Sequence, residues 1–156
     1  MKKEKAKKNV RVEAEAAFEE HKRISALLGD LDQWLDRPVD CTTAWTECLR
    51  RMLEPLVAVL EPHFSGEETS PLYRDVPIES PRFAPSLDRL FGEHEAIVDE
   101  LTAISREACG TTEPPAAQIR ELTLRTKRMI FTLKRHESEE NEILQQAYWD
   151  DLAASD

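Results

Sequence analysis

The stretch LEPHFSGEE, Leu60–Glu68, decides the fold once it is set beside LKRHESEEN, Leu133–Asn141. Each carries a Leu, a His three residues later and a Glu four residues beyond that, and the two lie 73 residues apart. The same shift lays FEEHKRI (Phe18–Ile24) on FGEHEAI (Phe91–Ile97) and Leu28 on Leu101. His21 and His63 are 42 residues apart, and so are His94 and His136. The chain therefore reads as two copies of one plan, a helix with a single His followed by a helix with His-x-x-x-Glu, related by a pseudo-two-fold repeat.

The helical reading rests on period. Apolar residues recur at three- and four-residue steps in four long segments, and no segment shows convincing strand alternation. The first segment carries Ala14, Phe18, Ile24, Leu28, Leu31 and Leu35, and the second Leu49, Leu53, Leu56 and Leu60. The third carries Leu87, Phe91, Ile97, Leu101 and Ile104, and the fourth Leu122, Met129, Leu133, Ile143 and Leu144. Turn signals separate them at residues 36–43, in the Pro-rich stretch from Ser70 to about Ser86, and at residues 109–115. Short connections favour antiparallel neighbours, so the expected fold is all-α, an antiparallel up-down four-helix bundle. Residues 1–9 are expected to form a basic flexible tail and residues 10–153 the bundle. Pro55 and Pro62 fall inside the second segment, where each removes a backbone hydrogen bond. A kink is expected there, and Pro62 with Gly66 is expected to open a ligand path beside His63.

All four histidines belong to the repeat. The residues three before them are Phe18, Leu60, Phe91 and Leu133, so each His points to the core side of its helix. Glu67 and Glu140 share that face, one turn past His63 and His136. The two histidines of a hairpin also sit at similar heights, ~22 and ~30 Å from their connection by helix rise. A single core-facing His is ordinarily a hydrogen-bonded core residue. A buried carboxylate without a partner is costly by several kcal/mol. Six such groups at matched spacing are hard to explain one by one, and a cation satisfies them together. Imidazole with carboxylate and without thiolate suits iron or manganese and does not exclude zinc. Two carboxylates with two His per metal describe a dinuclear site more naturally than a mononuclear one. The Glu-x-x-His pattern of ferritin-like bundles is absent, since every −3 position is apolar.

Composition narrows the function. At 156 residues, with 40% hydrophobic and 33% charged, the chain fits one soluble domain with a real core. A formal net charge of −10 argues against nucleic acid as a partner. No apolar run approaches the roughly 18 residues of a spanning helix, and no apolar segment follows the basic N-terminus as in a secretory signal. Cys41, Cys48 and Cys109 form an odd set without CxxC spacing, which reads as reduced thiols in a cytoplasmic protein.

The order of His, His-x-x-x-Glu, His and His-x-x-x-Glu resembles the hemerythrin-like (HHE cation-binding) domain over roughly residues 10–153. The resemblance implies two iron ions joined by an oxo or hydroxo bridge. His21 and His63 would serve one iron and His94 and His136 the other, with Glu67 and Glu140 bridging. Oxygen-carrying hemerythrins have a second His on the third helix, four residues after the first. Here that position is Val98, matched by Ser25 in the other half. In this the pattern is closest to the di-iron domain of repair-of-iron-centres proteins, and it also resembles the iron-sensing domain of an animal F-box protein. Two imidazoles per iron leave open positions, or a nearby carboxylate completes the shell. Glu137, Glu93 and Glu20 are the candidates, with a solvated or outer-carboxylate role favoured for each.

The expected function is a cytoplasmic di-iron protein that binds or senses O2, NO or iron and redox status. A di-iron enzyme, removing peroxide or donating iron for iron–sulfur repair, is the first alternative. A metal-free structural bundle is the second. The protein partner is left open.

Overall fold

The computed structural model describes the backbone of residues 2–110 and 113–150 and the side chains of 11–110 and 113–149. The side chains of the expected 1–9 tail and the expected domain end at residue 153 lie outside the described residues. Four long helices form the bundle: α1 (Lys2–Leu35), α2 (Thr42–Thr69), α4 (Ala84–Cys109) and α5 (Ala116–Gln145), with a short α3 (Pro71–Glu79) between α2 and α4. α1 packs on α2, α2 on α4, α4 on α5 and α5 back on α1, which closes the ring. No strand occurs among the described residues. α1 reaches back to Lys2 and so takes the backbone of the basic N-terminal segment into the helix.

Each apolar position read from the periodicity is buried, except that Phe18 and Phe91 are partly exposed. The buried residues form two clusters. One runs through Ile24–Leu35, Trp45–Phe64, Ile97–Ala108 and Ile119–Leu133. The other gathers Ala14, Leu72, Tyr73, Val76, Leu87, Leu90, Ile143, Leu144 and Tyr148. The histidines lie between the two clusters in α1, α2, α4 and α5, so a polar layer crosses the bundle between two apolar ones.

The Pro-rich stretch after Ser70, expected to be a break, is mostly helical. Ser70 caps α3 by accepting a hydrogen bond from the Leu72 amide at 3.1 Å, and Pro71 follows at the first helical position. Ser-Pro is thus a helix start, because proline lacks the amide that would be left unbonded there. A 3-10 turn over Pro81–Phe83 leads into α4. The Tyr148 hydroxyl donates to the Leu72 carbonyl at 2.5 Å and ties the chain after α5 to α3.

α2 runs unbroken over Thr42–Thr69 through both Pro55 and Pro62. Both prolines and Gly66 lie on its exposed face, the side on which a helix tolerates a missing amide because solvent is within reach of the freed carbonyl. A Cβ placed on Gly66 would touch nothing within 4 Å. The opening expected beside His63 therefore has no support, since these residues face away from it.

Candidate metal centre

His21, His63, Glu67, His94, His136 and Glu140 come from four different helices, and all six are buried. They meet at one level of the bundle. The rings of His21 and His63 are 5.1 Å apart and nearly perpendicular, and those of His94 and His136 are 5.0 Å apart. The pairing joins α1 with α2 and α4 with α5, as the repeat predicts.

The two carboxylates lie between the pairs. Glu67 Oε1 is 3.1 Å from Nε2 of both His21 and His63, while its Oε2 is 3.6 Å from Nε2 of His94. Glu140 turns Oε2 to His21 at 3.7 Å and Oε1 to His136 at 3.2 Å and His94 at 3.9 Å. Each carboxylate thus gives one oxygen to each His pair.

The outer nitrogens explain why the inner ones converge. His21 Nδ1 donates to Asn141 Oδ1 at 2.7 Å, and His63 Nδ1 to Glu20 at 3.1 Å. His94 Nδ1 donates to Glu68 at 2.8 Å, and His136 Nδ1 to Glu93 at 3.2 Å. An acceptor on Nδ1 fixes the proton there and points the Nε2 lone pair inward, the arrangement of imidazoles that hold a metal. These partners follow the repeat too: Glu20 corresponds to Glu93 and Glu68 to Asn141. Glu20 and Glu93, weighed as extra ligands from the sequence, touch the outer nitrogen only. Glu68 and Asn141 were not singled out, although the 73-residue shift that matched the ligands pairs them as well.

Glu137, a candidate extra ligand for which a solvated or outer-carboxylate role was favoured, is 4% exposed and faces the imidazoles directly. Its Oε2 lies 3.3 Å from His21 Nε2 and its Oε1 3.6 Å from His63 Nε2. Successive helical residues are rotated by about 100°. His136 therefore faces α4, while Glu137 faces α1 and the opposite His pair. Tyr73 of α3, also missed, donates its hydroxyl to Glu67 Oε1 at 3.1 Å from a fully packed position.

The imidazoles and carboxylates of the site favour each other's charged forms. Burial pulls His63 down, but the carboxylates of Glu137 and Glu67 outweigh it and the imidazole is pushed up to about 11. His21 is raised in the same sense, with Glu67 and Glu137 overcoming burial, and His136 is raised by Glu140. Burial raises Glu67, yet His21 and His63 hold it well below the usual carboxylate range. Burial first, then Glu67 and Glu140, lifts the Tyr73 hydroxyl well above its ordinary value.

Eight buried side-chain atoms have no hydrogen-bond partner among the described residues, and every one belongs to this layer. They are Nε2 of His63, His94 and His136, Oε2 of Glu67, and both oxygens of Glu137 and Glu140. Buried polar groups are ordinarily paired, so a cluster of orphans all facing one another marks a place for a cation. Two sets of donor atoms fall within 4.8 Å of each other: His21, His63, Glu137 and Glu140, and Glu67, His94, His136 and Glu140. Glu140 belongs to both. The cysteines are free, exposed and outside these sets. No helix among the described residues is long and apolar enough to cross a membrane.

Comparison with known proteins agrees with this geometry. Neither the curated proteins nor the solved structures gave a significant match. A family model described as hemerythrin HHE cation binding domain matches residues 14–148, which takes in α1 from residue 14 onward, the whole of α2, α4 and α5, and every residue of the polar layer. The chain belongs to the hemerythrin HHE cation-binding domain family, and its buried His and Glu groups are able to hold a metal.

Proposed function

We propose that this protein holds two iron ions in the polar layer and uses them to bind or sense O2, NO or cellular iron and redox status. The observation that carries the reading is the split of Glu67 and Glu140, each with one oxygen toward each pair of inward-facing imidazoles. That is the disposition of two bridging carboxylates between two metal positions, His21 with His63 and His94 with His136. The donor set is imidazole and carboxylate without thiolate, which suits iron, with manganese or zinc less favoured. Iron supplies reversible redox chemistry and affinity for small diatomic ligands. The chain's own part is to orient the imidazoles through their outer acceptors, keep the layer dry between two apolar clusters, and shield it with α3.

A metal-free structural bundle fits less well, because it leaves three buried carboxylates facing imidazoles with most of their donors and acceptors unmatched. The test is the metal content of protein purified without added metal, followed by absorption spectra of the reduced protein on exposure to O2, NO and peroxide. Two irons per chain and reversible spectral adducts are expected. A chain that carries no metal and takes up none would overturn the reading. Sustained peroxide consumption well above that of free iron would move it to an enzyme.

A further inference from the structure

The repeat relates almost every residue of the layer in kind. His21 answers to His94, His63 to His136, Glu67 to Glu140 and Glu20 to Glu93. Two pairs differ in kind. Glu68 answers to Asn141, both acceptors for an outer His nitrogen. Phe64 answers to Glu137, the one pair that differs on the inner side facing the imidazole Nε2 atoms. Phe64 and Glu137 each follow a histidine and are turned by about 100° toward the opposite His pair. Glu137 brings two unpartnered carboxylate oxygens to within 3.3 Å of His21 Nε2 and 3.6 Å of His63 Nε2. Phe64, 3% exposed, stacks on His94 at 4.0 Å with the rings 5° from parallel, and meets His136 edge-on at 5.5 Å. One His pair therefore has a private carboxylate where the other has an apolar ring.

From this difference we infer that the two metal positions are unequal: the His21–His63–Glu137 position fills first and holds its ion tightly, and the His94–His136 position beside Phe64 fills second and exchanges its ion. The inference rests on the dinuclear reading above. Its physical basis is charge and donor number. A cation between His21 and His63 meets two imidazoles, the bridging carboxylates and the buried charge of Glu137. One between His94 and His136 meets two imidazoles and the bridging carboxylates, with nothing to coordinate on the Phe64 side. A buried carboxylate facing a lone cation is a strong attraction at low local dielectric, and a phenyl ring offers no comparable donor.

Anaerobic titration of the full metal-free chain with Fe2+, and separately with Co2+, tests this by calorimetry and native mass spectrometry. Two steps separated by at least tenfold in dissociation constant are expected. Glu137→Gln, which keeps the shape of the side chain, should weaken the first step by tenfold or more and leave the second near its original value. Phe64→Glu should tighten the second step toward the first. His136→Ala should retain one tight ion, whereas His21→Ala should lose the tight step. Equal steps in the parent chain would overturn the inference and leave the dinuclear reading standing. So would a tight ion that survives His21→Ala and disappears in His136→Ala. Failure to bind either metal would overturn the dinuclear reading and this inference together. Helical circular dichroism of each variant separates a lost ligand from a lost fold.

Discussion

The Tyr73 hydroxyl donates to Glu67 Oε1 across 3.1 Å, linking α3, the helix that stands where a loop was expected, to one of the two shared carboxylates of the polar layer. The ring itself packs edge-on to Phe91 and is 2% exposed. Its hydrogen bond fixes which oxygen of Glu67 faces His21 and His63. Tyr73→Phe removes that bond and leaves the ring packing in place. A hydrogen bond to a charged group contributes about 1.5–3 kcal/mol. A loss of that size in the urea midpoint free energy is expected, with both metal ions retained and the absorption of the loaded protein shifted. An unchanged spectrum with unchanged stability would mean that Tyr73 does not bear on Glu67.

The outer acceptors are expected to tune metal affinity without touching the metal. Glu93 accepts from His136 Nδ1 and is held in turn by Arg135 at 2.9 Å and by Arg89. Loss of such an outer partner typically weakens metal binding by about 10–100-fold. Glu93→Ala should therefore weaken the His94–His136 position by that factor and spare the other. Glu20→Ala should do the converse through His63. Competition against a chromophoric chelator measures both. Equal loss at both positions in either variant would count against the pairing of acceptor with position.

Removal of metal should destabilise the fold. Binding at 100 times the dissociation constant stabilises by about 2.7 kcal/mol through mass action. The metal-free layer also leaves eight buried polar atoms unmatched. Dialysis against a strong chelator is expected to lower the melting temperature by several degrees, with recovery on addition of Fe2+. No change on removal, at confirmed zero metal content, would show that the layer is satisfied without a cation.

The metal-free protein should lose stability as pH rises above neutral. His63 is raised to about 11 in the folded chain by Glu137 and Glu67, against about 6.5 when unfolded. A group raised on folding contributes fully below its unfolded value, and that contribution is lost as pH climbs through the folded one. The expected decline in the urea midpoint spans about pH 6.5 to 11 and is reinforced by His21 and His136, which are raised in the same sense. On the acid side Glu67, held low, contributes above its unfolded value of about 4.3 and loses that contribution as pH falls. With metal bound, the imidazoles serve as neutral ligands and the alkaline decline should vanish. A flat profile in the metal-free protein would remove the protonated imidazoles from the account.

Much of the molecule was legible in its sequence. The apolar period placed Leu28, Leu60, Leu101 and Leu133 in the core, because a 3.6-residue turn puts every third or fourth residue on one face. The repeat placed six ligand candidates near one level, because the two histidines of each hairpin lie at similar helix rise from their connection. Glu68 and Asn141 correspond under the same 73-residue shift, but they differ in residue type, and only their contacts with His94 and His21 show the shared role. The tertiary structure alone decided the rest. Periodicity names one face per helix, whereas each helix in a closed ring meets two neighbours. That second contact buries Glu137 against His21 and stacks Phe64 on His94. The turn chemistry of Ser70-Pro71 is equally at home in a loop or at a helix start, and only packing of Leu72, Tyr73 and Val76 into the second cluster selects the helix. The sequence by itself determined two matching halves; contact between them determined that one His pair faces Glu137 and the other Phe64, because a side chain one residue past a core histidine reaches across the bundle to the other half.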